Sequence, residues 1–560
     1  MILGHPLSAR VTRRAALTAA MAGGLGLVLP AGLLAAAPER AAPPDQSTSP
    51  VETTSGRVRG LRSGGVSRFL GIAYGDDTAK HRFQPPRPPQ PWTGVRDCFT
   101  PGAQAPQGPI TISGATGMSL DGPGVPIIMA VRRATTAHVP ESEDCLYLNV
   151  FTPEPSHAGK RAVMVWLHGG GFAMGAGLNS MTDGSELARR GDVVVVSLNH
   201  RLNAMGYLYL GALHEDFADS GNVGQLDIVL ALQWVRDNIA AFGGDPANVT
   251  IFGESGGGSK VGTMLGMLPA QGLFHRAIEQ SGPAVRLVDR ADAAMIAEQT
   301  LAALGVARAD VHKLQTMDRT AVIAAASAVK LHSGMPGLTR RTLAPVVDGR
   351  SIPAHPFDPA ATDISRNVPL MIGTTKDEWT LFMAADGEFG KIGVDEARRR
   401  FAAIAGERGA AAFEVYRSAR PADPPTYWIS SLLTDLMMRT DSIVEADRKS
   451  AQNAAPVFMY RVDYEPRVMD RLLRSPHGTD VPLMFGTLVP PEMIGSGSEV
   501  QELCATMMQA WVNFARAGSP AQRSLAWPRY ETRRRSTMIF DAPSRVASDP
   551  DRVTREFWAA

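Results

Sequence analysis

The 560-residue chain is long enough for several domains of ordinary size or for one large α/β enzyme domain, and its 44% hydrophobic and 20% charged residues give an ordinary globular balance. Lys and Arg number 56 against 55 Asp and Glu, a net charge of +1, so no global field exists to gather nucleic acid or an anionic surface. Three cysteines, Cys98, Cys145 and Cys504, allow at most one bridge and fit no zinc spacing, which excludes a disulfide-stapled fold.

Residues 1–40 read as an export signal. Thr12-Arg13-Arg14 precedes an uncharged stretch from Ala15 to Ala37, rich in Ala, Leu and Gly, and small residues at Ala35, Ala36 and Ala37 offer a cleavage site near residues 37–42. The paired arginines resemble a twin-arginine signal, with Ala16 where that signal usually carries Phe. An uncleaved anchor is the alternative, opposed by the Gly content and by Pro30. Residues 41–50 read as a linker, the folded body begins near Val51, and the export signal implies a periplasmic or extracellular location.

Within that body the segment 101–140 is Gly/Pro-rich and reads as a long loop over one sheet edge. Short apolar runs at 146–151, 162–167, 193–198, 249–252, 368–372 and 457–462 read as strands buried on both faces. Between them 226–242 has one apolar side at helical spacing and ends at Gly243-Gly244. Segments of about 285–340 and about 385–450 read as helical insertions. The arginine triplets at 398–400 and 533–535 read as solvated faces. Strand, helix and strand in repetition predict an α/β fold with a large, mostly parallel central sheet.

One constellation carries chemistry. Gly253-Glu254-Ser255-Gly256-Gly257 follows the strand 249–252 and precedes a helical run, the context in which a strained strand-to-helix turn projects a nucleophilic serine. The same glycines have the spacing of a phosphate-binding loop, but the order Gly258-Ser259-Lys260-Val261 puts the lysine one place late with no hydroxyl after it, and a nucleotide hydrolase is rejected. Serine needs a base oriented by an acid, in the chain order Ser, acid, His. Five of the twelve histidines follow Ser255, namely His275, His312, His332, His355 and His477. The adjacent pair Asp377 and Glu378 follows the strand 368–372, and only His477 lies beyond it, after the strand 457–462. Chemistry alone leaves the acid open between Asp377 and Glu378. His168-Gly169-Gly170-Gly171-Phe172 follows the strand 162–167 and suits backbone donors for an oxyanion, assigned to the N–H groups of Gly170, Gly171 and Gly256.

These residues closely resemble the type-B carboxylesterases, a family that includes cholinesterases and bacterial p-nitrobenzyl esterases. The matching segments are Ser142-Glu143-Asp144-Cys145-Leu146-Tyr147-Leu148-Asn149, the His168–Phe172 glycines, Gly243-Gly244-Asp245-Pro246, Gln280-Ser281-Gly282, Lys376-Asp377-Glu378, His477-Gly478 with Asp480, and Trp511-Val512-Asn513-Phe514-Ala515. They run from about residue 51 to the C-terminus. The resemblance implies the α/β-hydrolase fold as one domain with helical insertions around an active-site gorge, Glu378 as the acid, small-molecule esters as substrates, and neither metal nor organic cofactor. An amidase or carbamate hydrolase on the same residues is the alternative. Ala105 stands where the family's first disulfide has its second cysteine, so a Cys98–Cys145 pair is the remaining option. Thr135 stands where cholinesterases carry a choline-binding Trp, and cholinesterase activity is not expected.

Overall fold

The apolar runs of the sequence form the middle of a single large sheet. The computed structural model of the protein describes residues 46–108, 121–332, 339–340 and 343–560, so the expected export segment lies outside the described residues. The strands are β1 Gln46–Ser47, β2 Leu61–Ser63, β3 Val66–Ala73, β4 Tyr147–Thr152, β5 Arg161–Leu167, β6 Val194–Leu198, β7 Gly244–Glu254, β8 Arg276–Gln280, β9 Leu370–Thr375, β10 Val457–Val462, β11 Ser536–Phe540 and β12 Arg545–Ser548. Across the sheet they lie in the order β1-β2-β3-β4-β6-β5-β7-β8-β9-β10-β11-β12. From β6 to β11 the neighbours run parallel. Antiparallel strands close both edges.

Burial of both faces explains the near-continuous apolar runs. The helices that matter most are α1 Val125–Thr135, α2 Val223–Asn238, α3 Gly256–Leu265 and α4 Ser498–Ala517. Val163, Val165 and Leu167 of β5 share one core with Ile228, Leu232 and Val235 of α2. Met164 and Trp166, alternate residues of the same strand, share the opposite core with Leu503, Trp511 and Phe514 of α4. The period of two thus sends successive side chains to different helices. Each such side chain contributes about 1.5–3 kcal/mol relative to exposure.

Four expectations need correction. Gln46 and Ser47, read as linker, pair with Arg62 and Leu61, so the ladder starts before residue 51. The loop expected over 101–140 contains α1, whose buried Ile127, Ala130 and Ala134 fall at helical spacing. Pro126 sits in its first turn, where a missing N–H costs nothing, and so it does not break the helix. The strand expected at 368–372 begins only at Leu370, because Pro369 has no N–H for the ladder, and it continues through Thr375. Cys98, Cys145 and Cys504 are all buried free thiols, so the Cys98–Cys145 option is not realised. The helical insertions are present as Arg290–Leu304 and Arg319–Ala328, and as Val394–Ala405, Gly409–Ala419, Pro425–Thr434 and Thr440–Ala451. Among the described residues no helix is long and apolar enough to cross a membrane.

Trp511 ties α4 to the sheet. Its ring is fully buried, 5.1 Å from Tyr460 and 5.9 Å from Phe540, and its Nε1 donates to Gln280 Oε1 at 3.1 Å. Trp511→Ala is expected to lower the unfolding free energy by about 3–5 kcal/mol, read as a drop in the urea midpoint. An unchanged midpoint would refute this account of the α4 face.

Candidate active site

At the end of β7 the chain turns sharply into α3, and Ser255 occupies the turn with φ 58° and ψ −122°. Few non-glycine residues adopt such a backbone, and it persists only where the surroundings over-determine it. Here Ser255 N–H donates to Gln280 O at 2.8 Å, and Ser255 C=O accepts from Ser259 N–H at 3.1 Å. Strand β8 and the first turn of α3 therefore hold the serine from both sides.

Two loops bring the other candidate residues to this point. Glu378 follows β9 and His477 follows β10, strands that pair with each other in parallel. His477 Nδ1 lies 2.6 Å from Glu378 Oε2, and His477 N–H also donates to Glu378 O at 3.3 Å. The other carboxylate oxygen, Oε1, accepts from Ser281 Oγ at 2.6 Å and from Thr375 N–H at 2.7 Å. Asp377, the alternative acid, points elsewhere and pairs with Arg420 at 2.7 Å. Of the remaining histidines, His355 accepts from Leu287 N–H and His275 from Val249 N–H, both away from Ser255.

His477 Nε2 faces Glu254 Oε1 at 3.1 Å, and Glu254 immediately precedes Ser255. The imidazole is therefore at the elbow, but its Nε2 is turned to Glu254 and not hydrogen-bonded to the Ser255 hydroxyl. Burial works to raise the Glu378 pKa, yet the charge of His477 and the bonds from His477, Ser281 and Thr375 prevail and hold it below the usual value. For His477 burial pulls the pKa down, but Glu254 and then Glu378 push it up to about 9. Glu254 itself is raised, chiefly by burial. A third buried acid, Asp480, accepts from Gln280 at 2.9 Å and from Tyr460 at 2.8 Å. The Phe382 ring lies 5.2 Å from the His477 ring and forms an aromatic wall beside it.

The glycine loop after β5 arrives at the same place. Gly170 and Gly171 have φ of 87° and 64°, a backbone that glycine alone adopts freely. A methyl group on Gly256 would lie 2.1 Å from Gly171 O, so loop and helix approach more closely than any side chain permits. All three expected oxyanion donors thus belong to one junction beside Ser255. Sequence reasoning gave no role to Ser281, Glu254 or Lys260. Ser281 and Glu254 stand within the family motifs, where spacing reveals no side-chain role, and Lys260 sits one place beyond the lysine position of a phosphate loop.

A model of the carboxylesterase family matches residues 47–558. The chain belongs to the carboxylesterase family. Para-nitrobenzyl esterase of Bacillus subtilis (strain 168) is 34% identical over 511 residues, covering 90% of this chain and 97% of that protein. Carboxylesterase 1F of Mus musculus is 31% identical, covering 86% and 88%. Among solved structures, carboxylesterase EST55 of Geobacillus stearothermophilus superposes with a TM-score of 0.76 at 35% identity over 91% of this chain and 100% of that one. An esterase from Clostridium hathewayi, described as able to hydrolyse aliphatic aromatic polyesters, gives a TM-score of 0.73 at 30% identity, covering 92% and 99%. The protein is a carboxylic-ester hydrolase with the α/β-hydrolase fold.

Among the described residues one group brings metal-type donors together, His214, Asp216 and His312. It lies near the surface in the first helical insertion and its neighbourhood, where Asp216 is engaged by His312 at 3.0 Å, and it takes no part in the junction at Ser255.

Glu254 is the largest influence raising the His477 pKa, so Glu254→Gln is expected to lower it from about 9 toward the ordinary 6.5. Imidazole NMR titration of His477 measures this directly. A pKa that stays put in the variant would mean that Glu254 does not govern the imidazole.

Proposed function

We propose that the protein hydrolyses small-molecule carboxylic esters through an acyl-enzyme at Ser255. The observation that carries the reading is the 2.6 Å His477–Glu378 pair delivered to a serine at a strained strand-to-helix turn. Glu378 fixes the imidazole with Nδ1 protonated, which leaves Nε2 as the base. Nε2 exchanges Glu254 for the Ser255 hydroxyl and takes its proton as Oγ bonds to the ester carbonyl carbon. Catalytic hydrogen bonds are often loose before substrate binds. The oxyanion is received by the N–H groups of Gly170, Gly171 and Gly256. The C–O bond to the alcohol then breaks, and His477 returns the proton to the leaving alkoxide. Water, deprotonated by His477, attacks the acyl-enzyme, releases the carboxylic acid and restores Ser255. None of these steps draws on a metal or an organic cofactor.

The same residues could serve an amide or carbamate, which differ in the leaving group. A panel of matched p-nitrophenyl esters and anilides separates the two, and esters are expected to be turned over faster. Only neutral His477 can accept the proton, so kcat/KM is expected to rise with pH through a pKa above 6.5 and to flatten above about 9.

Fluorophosphonate is expected to label Ser255 and to leave Ser255→Ala unlabelled. His477→Ala should lose turnover by about 10³-fold or more, while His355→Ala keeps most of it. An adduct that survives Ser255→Ala, or equal activity in the two histidine variants, would sink the assignment.

The N-terminal 40 residues are proposed to direct export, on the strength of Arg13-Arg14, the uncharged stretch and the alanine cleavage site. Cell fractionation is expected to find a chain beginning near residues 37–42 outside the cytoplasm, and a chain with Arg13→Lys and Arg14→Lys retained inside. A full-length chain recovered from the membrane fraction would show an anchor instead.

A further inference from the structure

The oxyanion donors come from two separate pieces of chain. Gly170 and Gly171 lie in the loop after β5, and Gly256 lies at the start of α3. An oxyanion hole works only when its donors converge on one point, and a displacement near 1 Å at such a site costs on the order of 10² in rate. Something must therefore fix the loop relative to the helix.

Lys260 stands four residues after Gly256, on the same side of α3, and is fully buried. Its Nζ donates to the carbonyl oxygen of His168 at 2.8 Å, and it lies 5.7 Å from the Phe172 ring. His168 and Phe172 are the two residues that bracket Gly169–Gly171. The far side of the loop is held separately, with Asn203 N–H donating to Phe172 O at 2.6 Å and Gly175 N–H donating to Gln107 Oε1 at 2.7 Å. The near side is held by the lysine.

A lysine amine in the interior is costly unless its donors are used, and an apolar side chain would fill a helix face at less expense. The His168 ring stacks on the His200 ring at 4.8 Å and 16°, beside this amine. Burial, and after it the Lys260 charge, push both imidazoles well below their usual pKa, so neither competes as a base.

We propose that Lys260 is a positioning residue of the oxyanion hole, a cross-link between the glycine loop and α3 that sets Gly170 and Gly171 against Gly256. The inference rests on the oxyanion reading given above. Lys260 does not touch substrate. It acts through the His168 carbonyl, and its loss lets the loop donors drift away from the helix donor.

The test is Lys260→Met in the full chain, which keeps the length of the side chain and removes the donor. Active sites are counted by fluorophosphonate, so that unfolded protein does not enter the rate. Per counted site, kcat for p-nitrophenyl butyrate is expected to fall about 10- to 100-fold with KM within about threefold of wild type. Affinity for a trifluoromethyl ketone, whose serine adduct carries the oxyanion, should fall by the same factor as kcat/KM. A lysine that merely stabilises the helix would lower the melting temperature and leave both per-site quantities unchanged, and that result overturns the proposal. Should Lys260→Met fail to fold, Lys260→Leu carries the same comparison, because leucine also cannot reach the His168 carbonyl as a donor. Wild-type protein that neither labels at Ser255 nor cleaves esters would overturn the parent reading and this inference with it. A fully active wild type with an equally active variant overturns the inference alone.

Discussion

A carboxylate with no surface in water must have its lone pairs filled by protein, and Glu378 draws its donors from three separate parts of the chain. Thr375 supplies an N–H from the end of β9, Ser281 a hydroxyl from the end of β8, and His477 an imidazole N–H from the loop after β10. Adjacent parallel strands all end at the same edge of the sheet, which lets these three segments meet around one side chain. Removing any of them leaves a buried charge short of a partner. The orientation of His477, and through it the state of the whole site, follows from satisfying Glu378.

The same edge holds a second buried network. Glu254, at the end of β7, faces the other nitrogen of His477, while Gln280, Tyr460 and Trp511 surround Asp480 and its neighbours. Acids placed on both sides of one imidazole favour its charged form, and burial works against charge on all of them. His477 thus lies between Glu378, which bonds its Nδ1, and Glu254, whose charge favours the imidazolium. Nε2 faces Glu254 at 3.1 Å, and the proposed acyl transfer would turn it to Ser255.

Around this core the match to the carboxylesterase family runs across residues 47–558. Most of the insertion helices lie outside the parallel strands and form two apolar clusters of their own, whereas Ile127 and Ala134 of α1, and Ile443 and Ala446 of the helix Thr440–Ala451, pack into the cores of the sheet. One joins Val288, Ile296, Leu301 and Val322, and another joins Phe401, Phe413, Tyr416 and Trp428. Such satellite cores can be rebuilt without disturbing the strand ends, a physical basis for chains about one-third identical sharing one fold.

The sequence by itself determined the strands of the sheet's centre, the turn at Ser255 and the loop histidine. Their signals are local: apolar runs, glycines at fixed spacing, and a chain order that left His477 alone beyond an acid. Elements whose signals conflict were misread. Proline and glycine density hid α1, and Pro369 shifted the start of β9. Between Asp377 and Glu378 the residues offered no choice, because adjacent carboxylates are chemically alike and the family likeness was needed to select one. The tertiary structure separates them by direction, sending Asp377 to Arg420 and Glu378 to His477. It alone also brought Glu254, Ser281 and Lys260 into the site. Each of these acts through a neighbour far away in sequence, and such a contact exists only once parallel strands have brought their ends together.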